Sequence, residues 1–412
     1  MPGWERKDSC TQSLAGRRLS RAWPATEEAA MAIDTTVVIP GLEGVPIAAS
    51  SISLVDGDGG RLYYRGYSIE ELTLGTSFEE VIALLYDGEL PNAARTAEIV
   101  AEIEAGRALT PAQIQIARDL ATVTHPMFAL QAAVAALAPK VNNFDQGDFE
   151  AATHRGIALT AKVGHLVGVI AQAAAGRPYD GPRPGETMAH MTLRMLTGTE
   201  PTELHERVMN ALLVLQADHS AANASTFTTR VVTSTKAEPE AVVSAAIGAL
   251  SGPAHGGANE ASLRMFMEIK DPARAEEVVT GMIDRKDRIP GVGHRVYKVK
   301  DPRSTVIQRL ADEVLVRDAD KAFYSIALTI ERIVKERFGT RGLWPNVDLF
   351  SGCVFGALDI PIDFFTPCFA AARTAGWSVN IVEQLQSGNR LFRPDQLWVG
   401  PEPRAFVPIE AR

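Results

Sequence analysis

Three of the eight histidines in this chain stand in surroundings that present a side chain to a ligand. His255 lies in Ser251-Gly-Pro-Ala-His-Gly-Gly-Ala-Asn-Glu, where Gly252 and Pro253 end a preceding helix and Gly256-Gly257 lets the backbone approach a ligand closely. His294 lies in a second glycine-rich loop, Ile289-Pro-Gly-Val-Gly-His-Arg-Val-Tyr, and His219 in Gln216-Ala-Asp-His-Ser at the end of an apolar helix. A histidine between glycines is poorly shielded and placed by loop geometry, which suits a polar site. One acidic residue, Asp348, is flanked by Val347 and Leu349 in Pro345-Asn-Val-Asp-Leu-Phe-Ser-Gly. Desolvation there raises a carboxylate's pKa and makes it a stronger base. On spacing alone, Asp348 reads equally as a helix cap.

Other chemistries fit less well. Gly291-Val-Gly293 is half of a dinucleotide fingerprint, but Val296 stands where the third glycine belongs and the flanks read as charged helix. A metal held by His219, His255 and His294 lacks any local HExxH, HxH or Cys/His spacing, and no metal is expected. The Gly-x-Ser-x-Gly elbow of a serine hydrolase is absent. Asp56-Gly-Asp-Gly-Gly resembles the start of a calcium loop, yet the twelfth position is Tyr67 where an acidic ligand is required.

The elements that must position these groups are mostly helical. Residues 50–66 carry the one clear β signal, short apolar runs on either side of an Asp-Gly-rich turn, and predict a small hairpin. Ser68 and Ser77 each precede acidic first-turn residues, the chemistry of helix N-caps. Segments 159–175, 205–217, 241–250 and 352–373 are rich in Ala, Val, Leu and Ile and predict helices buried on most of their surface. The expected fold class is all-α, with a large helical core. Segments 269–288 and 299–341 mix charge with apolar positions and predict a smaller, more solvated lobe between two pieces of the apolar body.

Composition bounds the function. The 412 residues are 46% hydrophobic and 22% charged with a formal net charge of −9, which excludes a disordered or fibrous chain and argues against a non-specific nucleic-acid binder. No uncharged run of about 18 apolar residues predicts a membrane span. Cys10, Cys353 and Cys368 form no CxxC pair or metal cadence and read as thiols in a reducing compartment, so a cytoplasmic location is expected. Residues 1–30 carry five basic residues without an apolar h-region and are expected to be a disordered extension upstream of a start at Met31.

Four linked stretches carry a family resemblance: Gly252-Pro-Ala-His-Gly-Gly-Ala-Asn-Glu; Gly291-Val-Gly-His-Arg-Val-Tyr-Lys with Asp301-Pro-Arg303; Asn346-Val-Asp-Leu-Phe-Ser-Gly; and Thr374-Ala-Gly-Trp with Asn389-Arg-Leu-Phe-Arg393-Pro. In order and separation they resemble citrate synthase, over about Val45 to Pro401. The resemblance implies a two-domain helical fold with a large domain (residues 31–255 and 353–412), a small domain (residues 256–352) and a homodimer. It implies condensation of acetyl-CoA with oxaloacetate and water to citrate and CoA, with no cofactor. Propionyl-CoA as the donor, giving 2-methylcitrate, is the alternative within the same chemistry, and a catalytically silent relative is the alternative outside it. By resemblance Asp348 is the base, His255 hydrogen-bonds the thioester oxygen, and His294 polarises the oxaloacetate ketone. The dianion implies fixed cations, since arginine forks onto carboxylates and keeps its charge when desolvated. Arg303, Arg373 and Arg393 stand at the family's carboxylate-binding positions, with Arg393 reaching the partner subunit, and His219 contacts the same moiety. Phe369, one helical turn before Arg373, lines the pocket. The backbone of Ile289, Pro290, Gly291, Val292 and Gly293 resembles the adenine-holding loop, and Lys298 is a phosphate contact.

Two departures stand out. Many bacterial relatives read Leu-His-Ala-Asp-His where this chain has Leu215-Gln216-Ala-Asp-His219, and three residues rather than two separate His219 from Asn223. A reshaped loop beside oxaloacetate is expected.

Overall fold

Short polar side chains begin the helices of this chain. Ser68 accepts from the Glu71 backbone N–H ahead of α1 (Ile69–Gly75), and Ser77 with Glu80 closes a reciprocal capping box ahead of α2 (Phe78–Asp87). Both are the caps read from sequence. Asn92 caps α3 (Ala93–Gly106), Thr110 with Gln113 caps α4 (Pro111–Ala121), and His125 precedes α5 (Pro126–Ala135). The computed structural model describes residues 37–141, 144–294 and 296–412; Cys10 and the expected extension over residues 1–30 lie outside them.

The long helix α6 (Phe149–Ala174) runs through the centre and is followed by α7 (Met188–Thr197), α8 (Glu203–Gln216), α9 (Ala224–Ser234) and α10 (Pro239–Leu250). The more charged stretch contains α11 (Ala258–Ile269), α12 (Ala275–Asp284), α13 (Pro302–Val314) and α14 (Asp318–Phe338). It leads into α15 (Val347–Ala357) and α16 (Phe365–Gln386). Helix α6 is long and apolar enough to cross a membrane by length and composition, but most of it is buried against α16, α7, α4 and α3. Gly156 lets it approach α16: a Cβ there would stand 2.9 Å from the Ser378 Cβ.

One expected helix divides in two. The apolar segment 352–373 breaks after Ala357, where Asp359 takes a left-handed φ of 59° and Pro361 leads into a 3-10 turn, Ile362–Phe364. Proline lacks the N–H a continuing helix needs and disfavours helical backbone before it, so apolar composition alone overran the boundary.

The small sheet has three antiparallel strands, β1 (Ser53–Asp56), β2 (Arg61–Tyr64) and β3 (Tyr67–Ser68), one more than the expected hairpin. Val55 pairs with Leu62, and Ser53 with Tyr64. Alternation turns Leu62 and Tyr64 into the core. Residues 46–393 form one compact unit and contain every element above; residues 37–45 and 394–412 belong to a second, with short 3-10 turns at Pro40–Leu42 and Ile409–Ala411.

Candidate active site

The three histidines singled out by their surroundings are held in shaped loops. After α8, the chain turns through Ala217 and Asp218 to His219, which is buried, with an Nε2 that has no partner. The buried Tyr64 hydroxyl accepts from the Asp218 N–H (3.1 Å) and donates to the Asp218 carbonyl (2.7 Å). The Gly376 N–H donates to the Ala217 carbonyl, and the absence of a side chain there matters: a Cβ would lie 2.4 Å from that oxygen. The extra residue after His219 is taken up by a turn in which the Asn223 N–H donates to the Ser220 carbonyl before Asn223 caps α9.

His294 is oriented by its own loop. Its Nδ1 accepts from the Val296 and Tyr297 N–H groups, both at 3.0 Å. A neutral ring with Nδ1 occupied as an acceptor carries its proton on Nε2, which is therefore a donor. The hairpin tip supports this loop: Lys298 N–H donates to the Gly57 carbonyl, and a Cβ on Gly57 would stand 2.3 Å from the Val296 carbonyl oxygen. His294 and His219 lie with ring centroids 5.4 Å apart, and Tyr297 packs against both, at 4.6 Å and 5.7 Å.

His255 sits in the turn between α10 and α11. Gly256 presses against the Leu250 carbonyl, where a Cβ would come within 2.7 Å. The His255 Nε2 lies 3.0 Å from the Ser225 hydroxyl, which also accepts from the Trp377 indole N–H at 3.2 Å. Ser225 therefore has a single proton to give, to His255 or to the Asn223 side chain 3.0 Å away.

Asp348 occupies the first turn of α15. Asn346, and not Asp348, is the N-cap: its Oδ1 accepts from the Asp348 N–H at 2.9 Å, while its Nδ2 donates to the Gly293 carbonyl at 2.8 Å. A single side chain thus ties the helix carrying Asp348 to the loop carrying His294. The Asn346 N–H to the Gly291 carbonyl and the Gly293 N–H to the Trp344 carbonyl complete the seam. Gly291 and Gly293 have φ of 74° and 92°, and Gly291 lies so close to the Leu349 backbone that a Cβ would come within 2.7 Å of it. Asp348 Oδ1 is buried without a partner.

Two buried arginines lie in electrostatic reach of these groups, Arg303 of all four and Arg373 of His219, His255 and Asp348. Asp301, the N-cap of α13, takes the Arg303 guanidinium in a fork, at 3.1 Å to Nε and 2.7 Å to Nη2. Arg373 on α16 donates from Nε to the Gln216 carbonyl (2.7 Å), stacks over the Phe369 ring at 4.8 Å, and leaves both terminal nitrogens buried without partners. Gln216, the departure noted above, acts through its backbone here.

This charge arrangement fixes the protonation states. Burial, with the Arg373 and Arg303 charges adding to it, pushes His255 down to about 4. Burial and Arg303 push His294 down to about 4 as well. His219 falls far below its ordinary value for the same reasons. All three are neutral hydrogen-bonding groups at pH 7. Burial pushes Asp348 the other way, up to about 7, with Arg303 and Arg373 opposing and Asp301 reinforcing the rise. The cluster thus combines neutral donors, a carboxylate poised as a base and two fixed cations.

The remaining expected residues lie elsewhere. Lys298 is exposed, with Nζ 3.2 Å from Asp58 at the hairpin tip. Ile289 is buried and Pro290 and Val292 are partly so, with Val292 bridged to Pro345. Arg393 is exposed beyond α16; Phe392 beside it packs on Phe227 at 5.6 Å. Sequence reasoning assigned no role to Ser225, Tyr297, Asp301, Asn346 or Asp218. Asp301-Pro-Arg303 and the Asn two residues before Asp348 were visible signals for two of them. Among the described residues one metal-competent triad occurs, His125, Glu260 and Asp363, with ligand atoms within 4.8 Å of one another. It shares no residue with the histidine cluster, and its Asp363 is paired with Arg264.

Residues 41–395 match the family described as citrate synthase, C-terminal domain. A citrate synthase from Synechocystis sp. is 40% identical over 93% of this chain and 96% of its own length. One from Deinococcus radiodurans is 39% identical over 91% and 99%. A 2-methylcitrate synthase 2 from Corynebacterium glutamicum is 35% identical over 92% and 99%. The structure of a citrate synthase from Thermoplasma acidophilum, a ternary complex with carboxymethyl coenzyme A and oxaloacetate, superposes with a TM-score of 0.86 at 32% identity, covering 90% of this chain and 98% of that one. The chain belongs to the citrate synthase family.

Proposed function

We propose that this protein condenses acetyl-CoA with oxaloacetate and water, releasing citrate and CoA. The observation that carries the reading is the convergence of neutral His219 and His294 and the open fork of Arg373 on one buried pocket, with Asp348 held there as a base at about 7. A dicarboxylate supplies the charge that the Arg373 terminal nitrogens lack, and Arg303 and His219 complete its cradle.

In the reaction, Asp348 removes a proton from the acetyl methyl group. His255 donates to the thioester oxygen as enol character develops, which is the step a carboxylate alone cannot drive. For a neutral His255 to donate from Nδ1, the Ser225 proton goes to Nε2, while Trp377 holds the serine oxygen in place. The enol carbon attacks the ketone carbon of oxaloacetate, and the His294 Nε2 proton passes to the ketone oxygen as it becomes a hydroxyl. Water then cleaves the resulting thioester, giving citrate and the free thiol. Every proton is handled by a side chain or water, so the reading calls for no cofactor.

Phe369 lines the pocket as the platform under Arg373. For CoA, the 289–293 backbone serves as the adenine cradle and exposed Lys298 as the phosphate contact. The protein acts as a homodimer in which Arg393, exposed and with no polar partner among the described residues, completes the partner's dianion site; the exposed Phe128 on α5 supports self-association. A reducing, cytoplasmic setting suits the two buried unpaired thiols, Cys353 and Cys368.

The test is release of CoA thiol on mixing protein, acetyl-CoA and oxaloacetate. Absence of release from folded protein would favour a silent relative. The 2-methylcitrate synthase among the relatives keeps propionyl-CoA in play, since one methyl group changes binding by only ~1–3 kcal/mol. A higher kcat/KM with propionyl-CoA than with acetyl-CoA would select that alternative.

A further inference from the structure

The turn that joins β1 to β2, Gly57-Asp-Gly-Gly60, carries three glycines, and only one of them is required by its backbone conformation. Gly60 has a φ of 62°, whereas Gly57 and Gly59 lie outside the left-handed region. What bars a side chain at Gly57 is a neighbour distant in sequence. A Cβ there would stand 2.3 Å from the Val296 carbonyl oxygen and 3.0 Å from its carbonyl carbon. Backbone cannot swing aside as the tip of a side chain can. Gly59 is the local contrast: the atoms nearest a Cβ there belong to the Asp56 carboxylate, at 2.3 Å, and to the Arg61 side chain, both within the hairpin itself.

The Gly57 contact reaches the active site through one peptide unit. The Val296 carbonyl and the Tyr297 N–H are two ends of the same planar group, and that N–H donates to the His294 Nδ1 at 3.0 Å. Gly57 also holds the far side of Tyr297, because its carbonyl accepts from the Lys298 N–H at 3.0 Å. The hairpin tip thus brackets Tyr297, whose buried ring packs on His294 and His219. His294 is neutral at pH 7. Its ring therefore carries one proton for two nitrogens, and the Val296 and Tyr297 N–H groups decide which of them holds it.

We propose that Gly57 is a positioning residue for His294: lacking a side chain, it seats the 296–297 peptide against the imidazole and so holds the ring in the tautomer that donates from Nε2. The inference rests on the reading of His294 as the group that protonates the oxaloacetate ketone. A Cβ at residue 57 displaces the Val296 carbonyl, and the rigid peptide carries the Tyr297 N–H with it. Nδ1 then loses a donor, and the form protonated on Nδ1 becomes accessible. A ring in that form offers the ketone oxygen a lone pair in place of a proton. A turn that merely stabilised the fold would be as sensitive at Gly59 as at Gly57.

The test compares Gly57→Ala and Gly59→Ala with the wild type, after melting curves have shown both variants folded. NMR shifts of the ring nitrogens in histidine-labelled protein, with the His294 signals identified by their loss in His294→Asn, should show the wild-type ring protonated on Nε2. Gly57→Ala should populate the form protonated on Nδ1, and Gly59→Ala should match the wild type. In steady-state assays the kcat of Gly57→Ala should fall roughly 10- to 100-fold with the KM for oxaloacetate little changed, as for a reacting group misplaced by about 1 Å. Gly59→Ala should keep the wild-type kcat. A wild-type His294 protonated on Nδ1 overturns the inference without recourse to any Gly57 variant. So does a wild-type tautomer or a wild-type kcat in Gly57→Ala, or an equal loss of kcat in the two alanine variants. Absence of turnover by the wild type refutes the proposed reaction instead, and the comparison of ring nitrogens still decides whether Gly57 sets the tautomer.

Discussion

Replacing Asp348 by Asn should make the protein more stable and nearly inactive, and the two effects share a cause. Burial raises this carboxyl from 3.8 to about 7. Between those values the folded chain keeps a proton that the unfolded chain has released, so stability falls as the pH rises through the window and stays low above 7. At about 1.36 kcal/mol for each pH unit, the ionised side chain costs the fold ~4 kcal/mol, and the partial exposure of Asp348 brings a realistic figure to ~2–4 kcal/mol. An amide carries no such cost. Calorimetric unfolding should therefore show Asp348→Asn melting above the wild type at pH 8.5, with the gap narrowing toward pH 5. Turnover should drop by ~10²–10⁴, the usual worth of a positioned base. Oxaloacetate binding should persist, because Arg303, Arg373 and His219 are untouched. In the wild type, kcat/KM should fall below a midpoint near 7 as Asp348 takes up its proton. The histidines, titrating at about 4 or lower, contribute no limb in that range. A variant no more stable than wild type at pH 8.5, or one retaining more than about a tenth of its turnover against the loss expected of a base, would refute the reasoning.

Two further substitutions probe the cradle and the seam. Arg373→Gln removes the open fork together with its Nε anchor on the Gln216 carbonyl; loss of a buried charged partner is worth ~2–5 kcal/mol, so oxaloacetate affinity measured by calorimetry should weaken at least ~30-fold. Asn346→Ala deletes the α15 cap and its tie to Gly293. It should cost ~0.5–2 kcal/mol in unfolding experiments, and steady-state assays should show kcat reduced with oxaloacetate affinity preserved, because the base and the His294 loop lose their common anchor.

The candidate side chains were legible because their types and local settings are unusual along the chain: histidines in glycine-rich loops, and an Asp between Val347 and Leu349. What sets their protonation was not legible. Ser225 meets His255 across 30 positions, Asn346 reaches Gly293 across 53, and Tyr64 grips Asp218 across 154. No local pattern announces such pairs, since each partner is an ordinary cap or strand residue on its own. The hairpin shows the same limit. Its Asp-Gly turn was plain, but that its tip seats the His294 loop and its Tyr64 seats the His219 loop follows only from tertiary packing. Conversely, the apolar run 352–373 looked like one helix because hydrophobicity outweighed Pro361, and a positive φ at Asp359 has no sequence signature of comparable strength.

On the proposed reading the site must attract a dianion and yet keep a neighbouring carboxylate basic, and these demands oppose one another. Bare arginines would satisfy the first and defeat the second, holding Asp348 ionised and weakly basic. The structure separates them by pairing. The Asp301–Arg303 fork is locally neutral, and Asp301 itself pushes Asp348 upward. Desolvation outweighs both arginines at Asp348 and lifts it to about 7. The same desolvation strips the histidines of charge, which leaves them able to donate protons to oxygens without repelling the arginines. Neutral histidines and a base matched to neutral pH are thus two consequences of one desolvated cluster. When the dianion enters and loads Arg303 and Arg373, the cations that restrain Asp348 are themselves neutralised, so its basicity should rise further at the moment the second substrate arrives.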